Sequence, residues 1–242
     1  MPLQQGCHVT SAARADSRTL ATLILIGIAN HSVLSGSRVA VALDALSMGA
    51  SSFTVGVLIS LYALLPMFLS VAVGRRVDRI GARRPMVVGS VLIGVGATLP
   101  FALPGMPALF GSAVLLGVGF MAFQIAAQNT AGGLGEPATR SRNFSLLALG
   151  YSVSGFIGPL SAGLAIDQFG FRATFATFAL VPLIPLAVLA SGRLVLPEGH
   201  PAAGGTRHAG VLALLRHRTL RHVFAINALL SLGWDLHTIL VP

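Results

Sequence analysis

The amino-acid sequence predicts an all-α, polytopic membrane protein. Hydrophobic residues make up 54% of the 242 positions, charged residues only 10%, and the mean hydropathy is +0.82. A soluble domain carries roughly a quarter charged residues, so this chain has too few charges to solvate the surface of a globular fold. The apolar residues are gathered into long runs, and most of the arginines fall in the gaps between those runs.

Seven apolar runs have the length of a membrane span, since a helix needs about 20 residues to cross the hydrocarbon core. Helices are expected because each one satisfies its own backbone hydrogen bonds in lipid. A β-barrel would instead show shorter segments of strict alternation. The first run is too long for a signal peptide and is interpreted as an uncleaved span. The runs lie at residues 20–43, 53–73, 86–103, 108–130, 144–166, 173–191 and 223–241.

These runs divide the chain into four predicted parts. Residues 1–19 form an N-terminal tail, and residues 20–191 form a bundle of six helices. Residues 192–220, rich in Gly, Pro, Arg and His, form a central linker, and residues 221–242 form a seventh helix. We expect the seventh helix to begin a second half that is truncated here, so that the missing C-terminal half would be a partner of this chain.

The distribution of arginine predicts the orientation. All 16 basic residues are arginine, and with a cytoplasmic N-terminus 14 of them fall on the cytoplasmic side. Arg172 then lies in an outer loop, and Arg38 lies inside the first span. This asymmetry predicts an integral protein of a bacterial-type inner membrane, with its tail and linker in the cytoplasm. Because the arginines do not share one face of a folded domain, the net charge of +9 does not indicate binding to nucleic acid.

An internal repeat links the two halves of the predicted six-helix bundle. The segments GRRVDRIGAR at 74–83 and GLAIDQFGFR at 163–172 share the pattern G-x-x-x-D-x-x-G-x-R, offset by 89 residues. The second copy supplies Asp167, Gly170 and Arg172. Each copy follows the second span of a three-span group, and three spans separate them, so they lie on opposite sides of the membrane. Two inverted three-helix repeats are an architecture of secondary transporters.

The first copy of the repeat resembles the loop between the second and third helices of the major facilitator superfamily. That family's pattern is G-x-x-x-D-R-x-G followed by basic residues. The matching positions are Gly74, Asp78, Arg79, Gly81, Arg83 and Arg84. Ala82 stands where the first basic residue is usual. The resemblance covers the whole chain but only about the first half of a usual twelve-span transporter. It implies a six-helix N-terminal bundle of that family plus a seventh helix.

In this family the loop acts as a conformational latch between the two halves of the carrier. The resemblance therefore implies that Asp78 is ionised and paired with a basic residue when the carrier faces outward. The candidate partners are Arg79 and Arg83 on its own loop, or Arg140 and Arg142 between the fourth and fifth spans. The alternative is that these arginines only anchor the topology.

A second, partial resemblance lies in the fifth span. Many drug:proton antiporters of the family carry G-x-x-x-G-P-x-x-G-G there, and this chain reads SGFIGPLSAG at 154–163. Gly158, Pro159 and Gly163 match, whereas Ser154 and Ala162 replace glycines. The match implies a bend that helps to close a cavity, and it favours efflux with a proton as coupling ion. The antiporters' arginine-containing motif on the fourth helix is absent. The alternative is an ordinary helix-packing face.

Polar residues inside the spans are the candidates for a substrate cavity. The first span carries Asn30, His31 and Arg38, and the fourth span carries Gln124 and Gln128 four residues apart on one helix face. Each has an alternative reading. Arg38 can extend to the lipid headgroups, His31 can be structural, and the glutamines can form hydrogen bonds between helices.

Together these features predict secondary active transport of a small solute by alternating access. No nucleotide-binding motif, metal-binding cysteine set or hydrolase motif occurs in the sequence, so we expect no cofactor, no metal and no enzymatic activity. The predicted partners are a small-molecule substrate, a proton and the lipid bilayer. The alternative function is an inactive truncated product or a membrane scaffold that does not transport.

Overall fold

The structure is a computed structural model that describes residues 3–192, 194, 196 and 218–240, with side chains from residue 16 to 192, at 194 and 196, and from 218 to 230. Every regular element in this part of the chain is helical. The α-helices are α1 (Leu3–Ser47), α2 (Ser52–Ile80), α3 (Arg83–Ala102), α4 (Met106–Gly133), α5 (Arg140–Leu180), α6 (Leu183–Ala190) and α7 (Arg218–Leu240), with a 3-10 turn at Pro137–Thr139.

The helices confirm the predicted all-α membrane fold. Segments Asp16–Ser47, Ser52–Ile80, Arg83–Ala102, Met106–Gly133 and Pro137–Ala190 are long and apolar enough to cross a membrane. The last of these has 54 residues and contains two predicted spans, which are separated by non-helical backbone at Gly170. The protein is therefore an integral membrane protein.

The structure describes the four predicted parts of the chain to different extents. Helix α1 already begins at Leu3, so the predicted tail at 1–19 is mostly helical. Most of the predicted linker at 192–220 lies outside the described residues. The chain divides into two compact units, Met1–Pro201 and Ala202–Pro242. The first contains α1 to α6, and the second contains α7.

Helices α1 to α6 pack as two related groups of three. The most extensive contacts join α1 to α5, α3 to α4, and α2 to α4. If α1 is equivalent to α4 and α2 is equivalent to α5, the α1–α5 contact corresponds to the α4–α2 contact. This pair of contacts is the relation expected of two inverted repeats, α1–α3 and α4–α6, whereas the α3–α4 contact has no equally extensive counterpart between α6 and α1.

Glycines bring α3 and α4 into backbone contact. A Cβ atom added to Gly89 would lie 2.5 Å from the carbonyl oxygen of Gly119, and one added to Gly119 would lie 2.7 Å from the carbonyl oxygen of Gly89. Any side chain at either position would force the helices apart. Since lipid is as apolar as the side chains, such close packing is a main source of helix association in membranes.

Candidate functional site

The two copies of the repeated motif adopt the same backbone conformation. Gly81 has φ 81° and ψ 170°, and Gly170, which lies 89 residues later, has φ 78° and ψ 173°. This region of φ/ψ space is open essentially only to glycine. Each glycine ends the second helix of its repeat and turns the chain into the third. The motif therefore builds the same tight helical hairpin at both ends of the bundle.

The arginine two residues after each glycine contacts the other repeat. Arg83 donates from Nε to the Leu189 carbonyl oxygen at 3.2 Å, and its Nη2 donates to the same oxygen. Arg172 donates from Nε to the Phe101 carbonyl oxygen at 3.2 Å, and its guanidinium lies 5.4 Å from the centre of the Phe101 ring. Both acceptors lie in the last turn of the third helix of the opposite repeat.

Asp78 contacts an amide rather than an arginine. Asn129 on α4 donates from Nδ2 to Asp78 Oδ1 at 3.3 Å, and both side chains are exposed. Sequence reasoning missed Asn129, which follows the candidate Gln128 directly. Arg140 and Arg142, the predicted latch partners, are also exposed, and Arg142 lines a cleft of about 750 Å³ with Asp16 and Glu136. The ion pair expected at Asp78 is therefore not the contact made in this conformation.

The glycines that precede the two aspartates face open space. A Cβ atom added to Gly74, or to the equivalent Gly163, would meet nothing within 4 Å. Gly74 therefore makes no close helix crossing within the described residues. In the fifth-helix motif, the two matching glycines consequently differ, because Gly158 is tightly enclosed and Gly163 is not.

Gly158 marks the crossing of α1 and α5. A Cβ atom there would lie 2.5 Å from the Ser32 carbonyl oxygen and 2.8 Å from the Gly36 nitrogen, and it would collide with Ser35 Oγ. Gly36 is equally constrained, since its added Cβ would lie 2.7 Å from the Gly158 carbonyl oxygen. Ser35 also donates to the Ser154 carbonyl oxygen at 3.0 Å. This part of the motif packs helices together.

His31 belongs to the same crossing. Its Nδ1 lies 2.7 Å from Ser154 Oγ, and Ser154 Oγ donates to the Tyr151 carbonyl oxygen at 2.9 Å. The serine hydroxyl has one proton, so when that proton points at Tyr151, Nδ1 of His31 is the donor. The imidazole lies 4.9 Å from the Phe120 ring and 5.2 Å from the Tyr151 ring, centre to centre. His31 is thus half-buried between α4 and α5.

The remaining cavity candidates differ in exposure. Asn30 is fully buried and donates from Nδ2 to Ser90 Oγ on α3 at 2.8 Å, so its side chain does not reach the bundle surface in this conformation. Gln124 is half-buried and Gln128 is exposed. Arg38 is exposed, and its guanidinium lies 5.4 Å from the centre of the Tyr62 ring. The structure places Arg38, Gln124 and Gln128, but not Asn30, on accessible surface.

The two tyrosines have a structural role that was not predicted from the sequence. Tyr62 is 3% exposed and donates to Ser37 Oγ at 3.2 Å, while Tyr151 packs against His31. They are the only two tyrosines of the chain, and they lie 89 residues apart, the same offset as the repeated motif. That spacing was a signal in the sequence. It marks equivalent positions on the second helix of each repeat.

Comparisons with known proteins agree with this architecture. A family model described as the Major Facilitator Superfamily matches residues 18–242. No curated protein matched the chain. Among solved structures, a peptide transporter POT in complex with sulfate is 22% identical, with a TM-score of 0.64 over 93% of this chain and 46% of its own.

Two further structures are of POT family transporters. One, in complex with a thioalcohol conjugated peptide, is 17% identical with a TM-score of 0.69, and one in complex with 5-aminolevulinic acid is 18% identical with a TM-score of 0.68. Each is matched over 93% of this chain and 48% of its own. The chain thus spans about half the length of the structures it matches. All three are structures of transporters, and at these identities they indicate a shared fold.

Proposed function

Because the chain belongs to the major facilitator superfamily, we propose that it forms the N-terminal half of a secondary transporter. It moves a small solute across a membrane by alternating access, in which rigid groups of helices rock around a central site. The observation that carries this proposal is the paired hairpin geometry at Gly81 and Gly170. A bundle built from two inverted copies of one unit can present the same contacts at either end.

The polar side chains on the bundle surface support a substrate path. Gln124 lies nine residues before the end of α4, about 14 Å along the helix axis, and Arg38 lies nine residues before the end of α1. Both residues therefore lie inside their spans and away from the helix ends. Polar groups inside a span are costly against lipid and typically face a cavity or another helix. We assign Arg38, His31, Gln124 and Gln128 to the wall of the solute path.

A second half of the carrier would cover α2. Of the five candidate spans, this helix has the smallest fraction of buried residues, and its Met67 and Phe68 are each 72% exposed. Gly74 and Gly163 leave room for helices to approach at equivalent positions on α2 and α5. In such a carrier the motif of 74–84 is a latch, with Arg140 and Arg142 as partners of Asp78 in a conformation different from the one described.

The proposed membrane orientation rests on the arginine distribution, and the proposed direction of transport rests on the fifth-helix motif. We place the N-terminus and the arginine-rich loop in the cytoplasm of a cell with a bacterial-type inner membrane, on the arginine distribution. The partial fifth-helix motif favours efflux and a proton as the coupling ion.

Cysteine accessibility tests the proposed path. With Cys7 replaced by serine, single cysteines at His31, Arg38, Gln124 and Gln128 should react with a membrane-impermeant thiol reagent in vesicles. Cysteines at Ile26 and Leu116, which are 2% and 0% exposed, should not react because they are enclosed in the bundle.

Val91 supplies a sharper control. It is 43% exposed and shares one apolar face of α3 with the exposed Val88 and Val95, so we expect it to contact lipid rather than water. A cysteine at Val91 should therefore stay unreactive although it is exposed. If all four path positions are as protected as Val91, the aqueous path does not exist and the proposal fails.

A further inference from the structure

Arg38 is a cation inside the first predicted membrane span. It lies nine residues before Ser47, the last residue of α1, and thus about 14 Å from that end of the helix. Tyr62, which it contacts, lies ten residues into α2, about 15 Å from the same end of the bundle. Side chains on a helix lean toward its N-terminus, so the arginine is directed away from the nearer headgroups.

The contact that holds the guanidinium is itself rigid. Tyr62 is 3% exposed, and its hydroxyl donates to Ser37 Oγ at 3.2 Å. Its backbone is pressed against Gly117 of α4, where an added Cβ would lie 2.9 Å from Tyr62 Cα. The tyrosine ring is therefore fixed between three helices. A guanidinium stacked on such a ring is held in place while its N–H groups remain free to bind a planar anion.

Arg38 has no carboxylate partner among the side chains that the structure describes at residues 16–192. The nearest acid on the same helix is Asp44, six residues on and therefore about 9 Å along the axis. A charge inside a membrane span is typically retained for a function or paired with a counter-ion.

The other arginines of the bundle do not supplement Arg38. Among those with described side chains, Arg18 lies 20 residues before Arg38 on α1, about 30 Å along the axis, and the others lie near helix termini or two residues after Gly170. A single guanidinium matches the single charge of one carboxylate with two parallel hydrogen bonds, whereas a doubly charged phosphate would keep an unbalanced charge beside a lone arginine.

We propose that Arg38 binds a carboxylate of the transported solute, so that the solute is a carboxylic acid in its anionic form. Tyr62 positions the guanidinium and Arg38 makes the contact with the anion. This inference rests on the proposed transport function and adds the chemical class of the substrate to it.

Ligand-observed NMR on the chain in lipid nanodiscs tests this directly. The probes are acetate, benzoate, succinate and 5-aminolevulinate, each paired with its neutral amide or methyl ester. At least one carboxylate should show saturation transfer that its neutral partner lacks. Arg38→Gln should weaken that binding about tenfold or more, as expected for a charged hydrogen bond. Arg38→Lys keeps the charge but loses the planar fork, and it should retain part of the signal.

The matched control is Arg18→Gln, which removes an exposed arginine on the same helix, 20 residues before Arg38, and should leave the signal unchanged. The inference is overturned if no carboxylate is preferred over its neutral partner, or if the preference survives in Arg38→Gln. Thiol labelling of a cysteine at Gln124 separates the two proposals. If the path cysteines are labelled but no carboxylate binding depends on Arg38, only the proposal of carboxylate binding is refuted. If no path position is labelled, the proposed solute path is refuted as well.

Discussion

Arg83 and Arg172 make the same contact from opposite ends of the six-helix bundle. Each donates from Nε to a backbone carbonyl at 3.2 Å, Arg83 to Leu189 in α6 and Arg172 to Phe101 in α3. The last carbonyls of a helix have no partner within the helix, so each arginine satisfies a terminal acceptor of the other repeat. The repeated motif thus ties the two three-helix groups together at both ends.

Removing one of these hydrogen bonds should measurably lower the stability of the bundle. Arg83→Gln is expected to cost about 1 kcal/mol of unfolding free energy, because the charged hydrogen bond is partly exposed to solvent. Hydrogen exchange in the last turn of α6 should accelerate, and the unfolding temperature in detergent should fall. Arg84→Gln, at the exposed neighbour, should change neither. Equal losses in both variants would mean that loop charge, and not the Leu189 contact, is responsible.

The crossing of α1 and α5 should tolerate no added methyl group. Gly158→Ala places a Cβ 2.5 Å from the Ser32 carbonyl oxygen and should cost about 1–3 kcal/mol through forced separation of the helices. Gly155→Ala on the same helix meets nothing within 4 Å and is expected to be neutral or slightly stabilising. Thermal unfolding of the two purified variants compares them. A destabilised Gly155→Ala would show that glycine is needed in α5 for a reason other than the close crossing.

Asp78→Asn tests the latch. The substitution keeps the shape and can keep the contact to Asn129, so the amount and stability of inserted protein should stay within about 0.5 kcal/mol of the parent. In a carrier joined to its second half, however, the lost charge should weaken the latched conformer by about 1–3 kcal/mol. Transport per inserted molecule should fall, and two-sided accessibility labelling should shift.

Asp167→Asn is the control for this substitution, because Asp167 is exposed and occupies the equivalent position in the second repeat. If the arginines around Asp78 act only as topology anchors, both variants should be silent, since acidic residues contribute little to membrane topology. Unchanged transport and labelling in Asp78→Asn would remove the latch.

The orientation is open to a direct measurement. Reporter fusions within 74–84 and within 192–220 should read cytoplasmic, and a fusion at Gly105, between α3 and α4, should read external. Those signals require five arginines of the 74–84 loop to remain untranslocated. An external signal from that loop would reverse the assignment of both ends of the bundle.

The sequence by itself determined the class of fold, the number of apolar runs and the repeat. These features depend on properties that are local or that recur at a fixed spacing. A run of 20 apolar residues must satisfy its backbone internally in lipid, whatever its neighbours are. The 89-residue offset in the sequence predicts that Gly81 and Gly170 are equivalent, and both have φ near 80° in the structure.

Only the tertiary structure decided which polar side chains are enclosed and which are accessible. Asn30, His31 and Arg38 lie on one helix, yet Asn30 is buried against Ser90, His31 is held by Ser154, and Arg38 is exposed over Tyr62. In a soluble helix the polar face marks the solvent side. Here the helices are apolar nearly all round, so periodicity does not reveal how each is rotated in the bundle. That rotation is set by where Gly158 lets α1 and α5 touch and where Gly117 meets Tyr62, which are contacts between residues far apart in the chain.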